Sequence, residues 1–550
     1  MKNLCRLGPI VAAIIGLMVV APAAKVQGQQ GQAAKPTLVV SIAGVNSLLD
    51  NIGYLTRVVG TPEVGGLVTM MAGQYIQGLD TKRPVGMFIV MAGPQPTGVV
   101  FLPVSDFAAV IAKIEESLGE PEDLGGGVRK ISVQRDIFFK ESNGWAFVTD
   151  SASNLENLPD DPSEMLGTLP QDYEVAVRVN VQSIPGSLRE MAISQIREGF
   201  ERGLEGSKDE DARELQQKIG QHSIKNLVSF IEEADQLTVG WGVDSNEGST
   251  YLDVDLSALP GSKLTERLAL LSGNETEFSG FLLPEAAAKL HFTSRAAEED
   301  IEQTKLVLGM MRDKVMEGID DDDELPNDEA RAKAKEIVGA FIQVIEDTVA
   351  SGRFDGGAAL LLNDGKLQLV GGGYLVDGSV IEQNLKELVE LGKSIEDDEK
   401  LDQIKFNAES YQGINLHTAT VPIPEDEDDA RKVFGSELSI VVGTGAKSAY
   451  VALGTDCESL LKTVIDRSGS QKVEVKVPVT FDIALAPILE FAAAIENEPE
   501  VKRLAESLQE SNGKDHITVT TATGPRSVSY RILVQEGVLN LIGQAAKRGR

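Results

Sequence analysis

Cysteine, histidine and aromatic residues are scarce in this chain, and each shortage removes a class of function. Two cysteines, Cys5 and Cys457, are too few for a disulfide framework. The four histidines, His222, His291, His417 and His516, are scattered, with no HExxH pair and no paired Cys to make a zinc motif. Aromatics make up 5% of the 550 residues, which leaves few platforms for stacking nucleic-acid bases. No GxSxG nucleophile elbow, P-loop or EF-hand spacing is present. Long apolar runs are missing too. The longest, Ile10 to Val20, falls short of the roughly 20 residues that span a bilayer.

That run has another reading. Lys2 and Arg6 precede it, and Ala21-Pro22-Ala23-Ala24 and Val26-Gln27-Gly28 follow it as small-residue cleavage sites, the layout of an export signal. Residues 1–28 are therefore expected to be a signal peptide and 29–35 a polar linker, giving a periplasmic or secreted protein. Cys5 lies ahead of the apolar run, which disfavours lipid attachment. Removing Lys2, Arg6 and Lys25 would take the formal charge from −33 to −36. So acidic a surface repels phosphate backbones and anionic headgroups, so nucleic acid and anionic membrane surfaces are not expected partners.

What is plentiful is ordinary core material, 42% hydrophobic and 25% charged, in a chain long enough for two domains. Two stretches resemble each other: "WAFVTDSASNL" from Trp145 and "VALGTDCESLL" from Val451. Downstream, "EVAVRVN" (174–180) and "EVKVPVT" (474–480) alternate valine with other residues, as half-buried strands do. Pro478 would place the second at an edge or turn its amide position outward. Each leads to an apolar helix, from Ser183 and from Ile483, then an acidic helical stretch, then a ribbon opening at "LTVGWGVD" or "ITVTTATG". The shared order points to duplication of one fold unit. In it, Asp150 and Asp456 would act as helix N-caps, accepting a backbone N–H that otherwise lacks a partner.

The pattern elsewhere predicts α+β architecture: two related halves, each a mainly antiparallel sheet covered by helices. Helices are expected at "VNSLLDNIGYLTRVVG", at "SDFAAVIAKIEESLG" with Ser105 or Asp106 as cap, from Ala296 to about Met316, from Asp328 to Val349 and from Val380 to Leu391. A hairpin is expected across Asn363-Asp364-Gly365, and another turn at Gly93 to Gly98. The first repeat is assigned to 36–275 and the second to 280–545, with a polar boundary between Asn274 and Ser279. "NET" at Asn274 fits a glycosylation sequon.

Several features could carry chemistry, and each has a plainer explanation. The acidic runs 320–324, 396–399 and 425–429 offer oxygens for calcium but read better as solvated loops. Gly125–Gly127 and Gly371–Gly373 read as tight turns or bulges between strands. Cys457, just after a strand, reads as a small buried thiol. The sequence thus assigns no catalytic, cofactor-binding or metal residue.

In its Ala-rich leader, "VNSLLDNIGYL", "RPVGMFIVMAG" running into "GVVFLPVSDFAAVIAKI", and "GWAFVTDSASNLENLP" before "LPQDYEVAVRVNV", the chain resembles uncharacterised secreted bacterial proteins of planctomycete type. The resemblance implies an exported, duplicated α+β protein and carries over no site. The expected function is that of an exported non-catalytic binding or scaffold protein. The alternatives are a carrier holding a lipid-like ligand between sheet and helices, and a hydrolase with a composite site.

Overall fold

The structure is a computed structural model. It describes residues 35–548 apart from 92–95, 206–209, 323–324, 364–365, 396–400, 470–472, 475–476, 497 and 510. The leader, the acidic run 396–399, part of 320–324 and the centres of the two turns named above lie outside the described residues. Helices and strands are mixed, and every strand pairing with a defined register is antiparallel, as the α+β reading requires.

The chain forms two compact units. The first takes residues up to 197, 228–259 and 531–550; the second takes 198–227 and 260–530. These are not contiguous halves. Nor is the predicted boundary an exposed linker: Asn274 and Thr276 are buried, and the Asn274 side-chain amide donates to the Leu270 carbonyl at 2.8 Å. Polar residues there satisfy one another inside the fold, and composition alone cannot distinguish that from solvent exposure.

In the first unit the order is β1 (Leu38–Ile42), α1 (Val45–Val58), α2 (Pro62–Gly73), β2 (Val85–Met91), β3 (Pro96–Pro103) and α3 (Phe107–Leu118). Then come β4 (Glu122–Gly125), β5 (Val128–Ser132), β6 (Asp136–Ser142), β7 (Trp145–Thr149) and β8 (Val175–Asn180). Helices α4 (Gly186–Glu205) and α5 (Glu210–Glu233), whose residues from 198 to 227 are counted with the second unit, lead to β9 (Ala234–Asp244) and β10 (Ser249–Ala258). The sheet runs β4-β5-β6-β7-β3-β2-β1-β8-β9-β10. One face buries Phe88, Phe101, Trp145 and Phe147, with the Phe101 and Trp145 rings edge to face at 5.5 Å. Asp106 caps α3 as expected, accepting from Ala109 N–H.

The second unit opens with α6 (Lys263–Ala269), β11 (Glu275–Thr276), β12 (Ala288–Arg295), α7 (Glu298–Asp320) and α8 (Asp328–Ala350). Next are β13 (Arg353–Asn363), β14 (Lys366–Tyr374), α9 (Ser379–Ile395), β15 (Lys405–Tyr411) and β16 (Ile414–Pro422). After α10 (Asp428–Phe434) follow β17 (Glu437–Gly445), β18 (Ser448–Gly454), α11 (Cys457–Ser468), β19 (Val473–Glu474) and β20 (Val479–Ala484). Helices α12 (Leu485–Glu496) and α13 (Pro499–Gln509), strands β21 (His516–Gly524) and β22 (Ser527–Gln535), and α14 (Glu536–Arg548) close the chain. The sheet runs β15-β16-β17-β18-β14-β13-β12-β20-β21.

Two local expectations fail. Of the strand placed at 474–480, Glu474 lies in the short ladder Val473–Glu474, residues 475–476 lie outside the described residues, and the sheet strand is Val479–Ala484, between β12 and β21, with Pro478 just ahead of it. Its carbonyl accepts from Thr293 N–H at 2.8 Å, so proline, which lacks only the donor, still joins β12 there. Neither Asp150 nor Asp456 caps a helix. Asp456 sits in the left-handed region at φ 56, and its side chain makes no capping bond. Asp150 accepts instead from Thr149 and Asn154.

Candidate functional site

Three clusters of polar groups that could react lie in the second unit. In the first, Thr276 Oγ donates to Asp355 Oδ1 at 2.6 Å and lies 3.1 Å from His291 Nε2. Arg353 closes on Asp355 at 2.6 Å. In the second, Thr444 Oγ lies 2.8 Å from His417 Nε2 and donates to Glu382 at 3.3 Å. His417 Nδ1 accepts from Asn407 N–H, which fixes the tautomer with its proton on Nε2. The third joins Asp482 to His516 at 2.9 Å, Thr518 at 2.7 Å and Lys289 at 3.3 Å.

The order of groups decides what the first two clusters can do. A nucleophilic triad needs imidazole to take the hydroxyl proton and a carboxylate to orient the imidazole. Here the threonine stands between carboxylate and imidazole, and its one proton is committed to the carboxylate. Burial holds both His291 and His417 below their ordinary value, so each stays neutral. Thr276 and His291 are almost fully buried. Asp482 is driven down to about 2: burial opposes ionisation, but the bonds from His516 and Thr518 outweigh it. These clusters tie strands together. The His residues foreseen as scattered are indeed apart, each in its own cluster, while the side chain of His222 lies outside the described residues.

Cys457 is 1% exposed; desolvation pushes its thiol up to about 11, and its Sγ faces the Ser439 carbonyl at 3.5 Å. Such a thiol is inert. Among the described residues no group of three or more His, Cys, Asp or Glu is placed to hold a metal ion. Gly125–Gly127 do form a turn, all three at positive φ. Gly371–Gly373 do not: they lie inside β14, paired on both sides.

That departure leads to a partly exposed face of the second sheet. Residues paired across antiparallel strands share a face. Phe481 pairs with Leu290, Leu290 with Ala358, Ala358 with Gly371, Gly371 with Val451, and Val451 with Val442. The neighbouring row on that face is Ile483, Ala288, Leu360, Leu369, Leu453 and Ile440. No charge interrupts either row. The opposite face carries the core of Ala359, Leu361, Val370, Tyr450 and Ala452. On the open face Phe481 is 36%, Leu369 36% and Val451 44% exposed. Above Gly371 there is room: a Cβ there would meet only the Gly357 carbonyl at 3.7 Å and Ala358 Cβ at 3.8 Å. The adjacent Gly372, on the core face, would drive a Cβ to 2.5 Å from the Tyr450 ring. The centre of the face is therefore a shallow trough with a glycine floor and aliphatic walls. At its β16 end the first row reaches His417, which is covered by Glu382 of α9. Helix α12, apolar but for Glu490 and Glu496 and with no fully buried residue, lies against β13 and α10, and α10 lies against β14 and β17.

A second apolar surface lies in the first unit. Helix α2 turns its small Gly65 and Ala72 inward and leaves Val64, Leu67, Met70 and Met71 39–62% exposed. Sequence reading missed both surfaces. The signal for the trough was there: three glycines inside a run of strand residues, where turns are not expected. No protein-family model, no curated protein and no solved structure matches the chain.

Proposed function

We propose that this is an exported, non-catalytic binding protein whose ligand is a long aliphatic chain laid in the trough of the second sheet. The observation that carries the reading is the uncharged, part-exposed row from Phe481 to Val442, in which a Cβ on Gly371 would meet no tight contact. Exposed apolar surface of this kind marks binding sites. Six strands at about 4.8 Å spacing make the row roughly 24 Å long, a fit for a long acyl chain. Each buried methylene would contribute about 0.8 kcal/mol. The commitment of the Thr276 and Thr444 protons to carboxylates supports a non-catalytic role.

The leader supports export. Duplication is part of the same proposal, and its support is the strand order: each sheet places its first strand beside its second and its eighth, counting β20 as the eighth of the second sheet. The resemblance of the two Thr-Asp motifs is weaker support. Aligning the buried residues Trp145, Phe147 and Thr149 with Tyr450, Ala452 and Gly454 sets Asp150 against Thr455. A scaffold role is the second reading, favoured by the α2 stripe as a contact for a protein partner.

Mass spectrometry of an organic extract of the natively purified protein tests the main reading. A lipid recovered in near-stoichiometric amount is expected. An empty extract, with no binding of added fatty acid, overturns it.

A further inference from the structure

The last residues of the chain complete the first unit, and what holds them is defined. Arg531 makes a two-pronged pair with the buried Asp253 at 2.8 and 2.6 Å. Glu536 N–H donates to the Gly248 carbonyl at 2.8 Å, and Tyr54 O–H donates to the Glu536 carboxylate at 2.9 Å. Lys547 meets the Gly60 carbonyl at the end of α1. Gly543 is seated so close that a Cβ would lie 2.1 Å from the Val59 carbonyl oxygen. Helix α14 thus docks on α1.

The second unit is closed in the same manner by the helix that follows β10. Arg267 of α6 pairs with Asp300 of α7 at 2.6 Å and bonds Asn226 at 3.0 Å, Lys263 reaches Glu299 at 3.3 Å, and Arg295 N–H donates to the Leu270 carbonyl at 3.1 Å. In each unit the helix behind a late strand packs on the helix behind an early one. In the first unit these two helices are separated by nearly the whole chain.

We propose that residues 531–548 are an exchangeable arm and that the partner its seat fits is a second copy of this chain, giving an arm-swapped dimer. The seat on α1 and β10 accepts an arm from its own chain or from another with the same contacts, as in domain swapping. Of the arm's apolar side chains, Ile532 and Ile542 are 42% and 55% exposed, Leu533, Val534, Leu539 and Leu541 are half-buried, and Val538 is buried. The inference is independent of the trough and its ligand.

The test uses two full-length variants, Asp253→Arg and Arg531→Asp. Each alone places like charges at the seat. Mixed, each arm finds an opposite charge on the other copy, so a 1:1 heterodimer is expected by native mass spectrometry. The double variant Asp253→Arg/Arg531→Asp is expected to return to monomer. A mixture that stays monomeric while the double variant folds overturns the proposal. Because Asp253 is buried, the unaltered chain supplies a second measurement: refolded from urea at rising protein concentration, it should give a growing dimer fraction. Monomer alone at every concentration overturns the proposal as well.

Discussion

Gly371→Val and Gly372→Ala make the sharpest pair of perturbations, because two adjacent glycines face opposite sides of one strand. At Gly371 the nearest atoms to a new Cβ stand at 3.7 and 3.8 Å, ordinary contact distances for that atom. A β-branched residue in mid-strand should then raise stability, by up to about 1 kcal/mol. The same side chain fills the trough with three carbons. Displacing about three ligand methylenes at roughly 0.8 kcal/mol each costs about 2.4 kcal/mol, or roughly fifty-fold in affinity. At Gly372 a Cβ would stand 2.5 Å from Tyr450 and 2.8 Å from the Ala449 carbonyl oxygen. Overpacking of that kind costs about 1–3 kcal/mol. Urea melts and displacement of a fluorescent fatty acid would separate the two effects: Gly371→Val stable but weak in binding, Gly372→Ala destabilised. Unchanged fatty-acid affinity in Gly371→Val, or a stability loss matching that of Gly372→Ala, would refute the reasoning.

Asp482→Asn should lower stability by roughly 2 kcal/mol, since the carboxyl is held near 2 against an ordinary 3.8. That contribution is complete above about pH 4 and is lost as pH falls through about 2, so acid melts of the variant should converge on those of the parent. His291 and His417 titrate below the ordinary 6.5, so their contribution is full above pH 6.5 and is lost as pH falls through their folded values. His516, raised by its bond to Asp482, contributes in the opposite sense, so the variant is compared with its parent: between pH 7.5 and about 5.5 the urea midpoint of His417→Asn should fall by less than that of the parent. In a Cys5→Ser background, Cys457 should resist thiol reagents in the folded state and react at once in urea; rapid native labelling would contradict its burial.

Much of the architecture was legible because apolar periodicity reports burial directly. Leu38, Val40 and Ile42 alternate in β1, and Asp106 precedes α3 at the capping position. Where reading failed, a tertiary partner had replaced the local cue. Val475, Val477 and Val479 alternate as a strand does, yet the ladder is made by residues 479–484, because β12 pairs with them there. Asn274 and Thr276 look like linker residues but are hydrogen-bonded inside the fold. Of the candidate site, the glycines were visible and their meaning was not. An open face exists only once β12, β13, β14 and β18 lie side by side, and residues nearly two hundred positions apart supply its walls.

Photocrosslinking with a long-chain fatty acid carrying a diazirine along its tail is the most direct test of the trough. Labelled peptides should contain Leu290, Ala358, Val451 or Phe481, and labelling should fall in Gly371→Val. Labels confined to the helix surfaces, or none above background, would contradict it.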